Sequence, residues 1–164
     1  PSYPRQTIRL CSSSSTLGPF LDEVIKDAIP LGPSSRALAF DMEWPIQRRR
    51  GHESRTSLIQ IAGQTLTLLI QFSKFSSIPP RLYDFLVDCS IVKLGVGIRN
   101  DGLKLLRDFP DQKAFLNSFL ELSFLAKAID PQAGQGARLL SLQEIVARYL
   151  DVYLPKGDVR TSDW

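Results

Sequence analysis

Apolar residues along the chain fall into short runs, and the spacing within each run predicts the element it forms. Phe20, Leu21, Val24, Ile25 and Ala28 recur at helical spacing, which predicts a helix over 19–29 stopped by Pro30-Leu31-Gly32-Pro33. Residues 37–43 read as a buried strand. Residues 58–62 and 65–70 form two more strands, joined across Gly63-Gln64 at hairpin distance. A helix over 79–87 places Leu82, Phe85 and Leu86 on one side, and a strand over 91–96 ends at Gly97. The run Leu103, Leu105, Leu106 and Phe109 predicts a helix over 101–109 closed by Pro110. A strand around 119–122 leads into a helix through 129. After a loop over 131–136, Leu142, Ile145, Val146 and Tyr149 are in register for a helix over 139–150. Residues 1–18 show little periodicity around the serine run 12–15, and suit an arm or a short strand.

Early strands with a hairpin, followed by alternating helix and strand, predict a mixed α/β sheet with helices on both faces. The expected organisation is an N-terminal arm over 1–18 and one domain over 19–164. A chain of 164 residues with 43% hydrophobic and 23% charged residues fits a globular domain large enough to bury a core. The apolar run 66–70 is far shorter than a membrane span, and no secretory signal pattern opens the chain, so no membrane partner is expected. Because the chain opens at Pro1, a targeting segment ahead of it is left open. Cys11 and Cys89 are too few and too far apart for a disulfide framework or a zinc site. The expected setting is therefore intracellular, with the nucleus ahead of the cytoplasm or mitochondrion. A net charge of +3 leans weakly toward a polyanionic partner.

The first candidate chemistry lies in Leu38-Ala39-Phe40-Asp41-Met42-Glu43-Trp44-Pro45. Side chains alternate along a strand, so Asp41 and Glu43 share a face and Met42 takes the opposite, core side. Like charges side by side repel, and a hard divalent cation between them reverses the sign of the interaction. Asp101, after Val96-Gly97-Ile98-Arg99-Asn100, is the second candidate. It suits a helix N-cap, unless Asn100 serves as the cap and frees Asp101 to point elsewhere. Arg48, Arg49, Arg50, His52 and Arg55 form the densest positive cluster. It is either a solvated loop or a grip on phosphates beside the carboxylates. Trp44 and Phe72 suit packing better than base stacking, and no Ser-His-Asp arrangement stands out.

In this order the motifs resemble a known family. Phe-Asp-Met-Glu-Trp-Pro at 40–45 with Leu-Ile-Gln-Ile at 58–61 resembles the first motif of DEDD-type 3′–5′ exonucleases. The subgroup it is most similar to is the Werner-syndrome-like exonuclease domain, related to ribonuclease D. Val96 to Asp101, with Lys104-Leu105-Leu106-Arg107-Asp108-Phe109, resembles the second motif and its helix. Ser141-Leu142-Gln143 and Val159-Arg160-Thr161-Ser162-Asp163-Trp164 also match the pattern. The resemblance implies an α/β, ribonuclease H-like fold: a mixed five-stranded sheet, three strands antiparallel, flanked by helices. It implies a 3′–5′ exonuclease acting on DNA or RNA 3′ ends with two Mg²⁺ or Mn²⁺ ions about 4 Å apart. Asp41 would bridge both ions, Glu43 would hold the ion that positions the attacking water, and Asp101 would bind the other. Met42 and Trp44 would help shape the pocket for the terminal nucleotide, and Arg48, Arg49, Arg50 and Arg55 would contact nucleic acid.

One element of the family pattern has no counterpart. The fourth carboxylate lies in a Tyr-x-x-x-Asp or histidine-variant motif, and no tyrosine in the chain is followed by Asp four places on. The domain is accordingly expected to be C-terminally incomplete, without its last helix, and the chain as written to hydrolyse poorly. The alternative expectation is a catalytically inactive module that binds nucleic acid or a protein partner.

Overall fold

The computed structural model describes residues 5–45, 54–111, 117–133 and 138–155. Within them lie strands β1 (Thr7–Cys11), β2 (Ile29–Pro30), β3 (Arg36–Glu43), β4 (Leu58–Ala62), β5 (Leu66–Gln71), β6 (Ile91–Gly95) and β7 (Phe119–Glu121). These form one mixed sheet in the order β1-β5-β4-β3-β6-β7, with β2 paired to β3. β4 runs antiparallel to both of its neighbours, β3 and β5, and β6 and β7 run parallel to β3. The five-stranded arrangement implied by the family resemblance is thus present, widened by β1, which runs parallel to β5, and by the short β2. Of the two readings of residues 1–18, a strand is what 7–11 form.

The helices are α1 (Ser14–Lys26), α2 (Pro80–Val87), α3 (Ile98–Asp108), α4 (Leu122–Ile129) and α5 (Leu142–Leu150). α1 begins five residues ahead of the expected start and carries Pro19 inside it. An interior proline removes one backbone bond and costs about 3 kcal/mol. Burial offsets that cost: Leu17, Leu21 and Val24, at i, i+4 and i+7, are all essentially inaccessible to solvent.

Register decides which face is packed. Leu38, Phe40 and Met42 of β3 join Ile59 and Ile61 of β4 and Leu68 and Ile70 of β5 in one buried cluster. Leu17 and Leu21 of α1, Leu82 and Phe85 of α2, and Ile98 and Leu105 of α3 belong to that same cluster. These three helices therefore share one face of the sheet, where the sequence pattern predicts helices on both. α4 and α5 close a separate small cluster of Ala126, Ala133, Leu140 and Ile145. Strand alternation turns the other set of side chains to the opposite face of the sheet. Ile8 and Leu10 of β1 are more than half exposed there, at 63% and 58%. That open face carries Asp41.

The β4–β5 turn is held from below by Asp27, immediately after α1. Its carboxylate accepts hydrogen bonds from the Thr65 and Leu66 amides and the Thr65 hydroxyl, each at 2.8 Å. Burial opposes ionisation of Asp27, but these bonds outweigh it and hold its pKa below the ordinary carboxylate value. A depressed carboxylate contributes stability above pH 4 that is lost as pH falls through its lower folded value. An Asp27→Ala variant is expected to lose about 1–2 kcal/mol of urea-unfolding stability at pH 7. The difference from the parent should shrink below pH 4, and an equal loss at pH 3 and pH 7 would contradict this role.

Candidate functional site

The site is built on the end of β3, the first turn of α3 and the end of β7. β3 alternates as its sequence predicts: Phe40 and Met42 turn to the core, while Asp41 and Glu43 turn to the open face. The partner of Asp41 across the ladder is Gln60, whose side-chain amide donates to Asp41 Oδ2 at 3.3 Å. The Asp41 pKa is raised because the surrounding protein desolvates its carboxyl, with the Met42 N–H pulling the other way. Glu43 is half-buried, and its carbonyl accepts the Ser57 N–H at 2.9 Å. That bond brings the returning chain alongside the carboxylate strand.

Asp101 arrives from the neighbouring strand through the β6–α3 turn. Gly97, at φ +73°, is the N-cap residue of α3. Only a residue without a Cβ takes that conformation at little cost. The helix thus starts three residues ahead of its expected start, and neither Asp101 nor Asn100 is its cap. One turn further in, Asp101 is freed from capping and is nearly buried, at 7% exposure. Gly95 lets the turn approach β3 closely: a Cβ there would lie 2.7 Å from the Phe40 carbonyl oxygen.

The charged groups acting on Asp101 are Asp41, Glu43 and Glu121. Desolvation first, then repulsion from these three carboxylates, pushes its pKa up to about 8. Among the described residues, no three Asp, Glu, His or Cys side chains converge closely enough to enclose a cation as they stand. The fold gathers the carboxyls into one another's field, and ligation requires their side chains to turn inward. Chemically the donor set suits a hard divalent cation: oxygen ligands only, with an excess of negative charge.

The other predicted contacts divide. Met42 is 3% exposed and packed in the core, so it offers no surface to a nucleic-acid strand; strand alternation is the reason. Trp44 is half-buried against the core, and Phe72 lies inside it. The exposed Arg55 has its guanidinium 4.6 Å from the centre of the Phe109 ring and donates to the Ser76 carbonyl at 3.3 Å. Arg48, Arg49, Arg50 and His52 lie outside the described residues.

Two further groups escaped the sequence reading. Lys104 is wholly buried, and its ammonium contacts Asp108 Oδ1 at 2.5 Å and lies 5.6 Å from the centre of the Trp44 ring. The other oxygen of Asp108 accepts both the amide and the hydroxyl of Thr56 at 2.8 Å. This clasp ties α3 to both ends of the connection that follows Glu43. Removing one partner of such a buried pair typically costs about 3–5 kcal/mol. The i,i+4 spacing of Lys104 and Asp108 was visible in the sequence, but that spacing is commonest on solvated faces. Glu121, the last residue of β7, gave no signal beyond an acid ending a strand.

Comparison with known proteins follows the same lines. A family model described as 3′-5′ exonuclease matches residues 21–164. The mouse bifunctional 3′-5′ exonuclease/ATP-dependent helicase WRN is 38% identical over 129 residues, covering 77% of this chain and 9% of that protein. This chain therefore spans only a small part of that relative's length. The EXD2 exonuclease domain soaked in Mg and GMP is 27% identical with a TM-score of 0.58, covering 96% of this chain and 75% of that one. The Aedes aegypti Nibbler EXO domain, at 16% identity, shares the fold with a TM-score of 0.73, covering 97% and 77%.

The raised Asp101 pKa gives a signed pH effect in metal-free protein. A carboxyl held well above its ordinary value destabilises the fold progressively as pH rises from about 4 toward about 8. In EDTA, Asp101→Asn is expected to raise the melting temperature at pH 8 by on the order of a few degrees. It should gain much less at pH 5. A loss of stability at both pH values would contradict this placement of Asp101.

Proposed function

The chain belongs to the 3′-5′ exonuclease family, and from that premise we propose that the carboxylates at the end of β3 form a two-metal centre. That centre hydrolyses phosphodiester bonds at the 3′ ends of DNA or RNA. The observation that carries the reading is Asp101, nearly buried and in the field of the Asp41, Glu43 and Glu121 carboxylates. Burying a carboxyl among like charges costs stability, and a bound divalent cation removes the cost. Support comes also from the related EXD2 domain, which was soaked with Mg and GMP.

Asp41, Glu43 and Asp101 would hold the ions, Mg²⁺ or Mn²⁺, with Asp41 shared between them. Such ions, when bound, lower the pKa of water and stabilise the departing 3′-oxygen. The protein's own residues prepare that chemistry. Gln60 steadies one oxygen of Asp41, and the β3 ladder keeps Glu43 on the same face. Asp101 must release its proton before it can ligate, so cation uptake is coupled to proton release below pH 8. Arg55, together with Arg48, Arg49 and Arg50, follows the carboxylate strand in sequence and is assigned to phosphate contact. Neutralising phosphates in this way gives salt-dependent affinity. A Tyr-x-x-x-Asp carboxylate has no counterpart in the 164 residues, and cleavage by this chain is expected to be slow for that reason.

The test is a 5′-labelled oligonucleotide incubated with the protein and Mn²⁺. The expected product is a slow ladder shortening from the 3′ end, abolished by EDTA. Asp41→Ala should reduce the rate to below about a hundredth of the parent. Retention of the strand without shortening would overturn the reading in favour of a module that binds without cleaving. Cleavage indifferent to both EDTA and Asp41→Ala would place the chemistry elsewhere.

A further inference from the structure

The geometry points to Glu121 as a positioning residue that fixes the β6–α3 turn and so presents Asp101 to Asp41 and Glu43, an inference that rests on the metal-centre reading above. Glu121 ends β7 opposite Gly95 of β6 and is 7% exposed. One carboxylate oxygen accepts the Gly97 N–H at 2.7 Å, and the other accepts the Ser123 N–H at 3.2 Å. α3 has no side-chain cap of its own at Gly97. The Gly97 carbonyl in turn accepts the Asn100 N–H at 2.8 Å, so the bond to Glu121 anchors the first turn of the helix, where Asp101 sits. From the other side the turn rests on β3, where Gly95 approaches the Phe40 carbonyl, one residue before Asp41. The turn is thus wedged between β3 and the Glu121 carboxylate.

The choice of residue is informative. A carboxylate accepts amide hydrogens more strongly than a neutral asparagine or serine does, and Glu121 offers one oxygen to each of two N–H groups. A carboxylate adds a further negative charge beside Asp101, which is unfavourable unless a cation is bound nearby. An anchor that also favours a cation at the Asp41–Asp101 cluster would use that charge, as outer carboxylates do at metal sites.

The test uses the protein itself, with Mn²⁺ affinity from titration calorimetry or EPR and amide hydrogen exchange at Gly97 and Asn100. Glu121→Met keeps the length of the side chain and removes both acceptors, while Glu121→Gln keeps one. Ser123→Ala is the control: Ser123 Oγ accepts the Leu140 N–H at 2.6 Å at the same junction, without touching the turn. Glu121→Met is expected to weaken Mn²⁺ binding by about tenfold or more and to speed exchange at both amides. Glu121→Gln should show a smaller loss. Ser123→Ala should lower the melting temperature with Mn²⁺ affinity unmoved. Folded Glu121 variants with the parent's affinity would overturn the inference, as would an equal loss in Ser123→Ala. Should Glu121→Met fail to fold, Glu121→Gln against Ser123→Ala decides the matter. A parent protein that binds no Mn²⁺ would overturn the metal centre itself, an outcome distinct from failure of the anchor.

Discussion

The repulsion among carboxylates at the end of β3 is the constraint on which the rest of the site depends. Asp101 is brought nearly out of water into the field of Asp41, Glu43 and Glu121. Nothing in folding alone rewards that placement. It persists because other parts of the fold leave these residues little freedom. Asp41 and Glu43 cannot leave the open face without reversing the alternation that buries Phe40 and Met42. Asp101 cannot swing away without lifting Ile98 and Leu105 from the same core. The hydrophobic core on one face of the sheet therefore holds the electrostatic strain on the other.

α3 is fastened at both ends by buried carboxylates, and the two fastenings differ in kind. At its C-terminal end Asp108 is matched by Lys104 and by two bonds from Thr56, a compensated arrangement that locks the connection after Glu43 to the helix. At its N-terminal end Glu121 is matched, among the described residues, by backbone N–H groups, and its charge acts on Asp101. The compensated pair stabilises the scaffold, and the uncompensated one adds to the negative field of the site. Repulsion of this kind is effective at Asp101 because Asp101 and Glu121 are themselves nearly buried.

Much of this was legible in the sequence. Strict alternation through 38–43 was enough to place Asp41 and Glu43 together and Met42 opposite, because a period of two admits one arrangement once a face is buried. The hairpin followed from Gly63-Gln64 between two apolar runs. The start of α1 was hidden by Pro19, which marks a helix start on local grounds, whereas burial of Leu17 extends the helix past it. The start of α3 was hidden because Gly97 caps through its backbone conformation rather than through a side chain. Lys104 and Glu121 were illegible for a common reason. Buried charges are recognised by the partners that tertiary structure brings to them, and those partners, Trp44 and Thr56 or Gly97 and Ser123, are distant or unremarkable in sequence.

The central claim is that Asp41, Glu43 and Asp101 close around divalent cations. It is tested most directly by anomalous diffraction from crystals of this protein grown or soaked with Mn²⁺. The expected result is anomalous density bordered by carboxylate oxygens of Asp41, Glu43 and Asp101, with Asp101 turned inward and the Gly97–Glu121 bond intact. Anomalous density confined to other carboxylates, or a cluster left without a peak at saturating Mn²⁺, would contradict it.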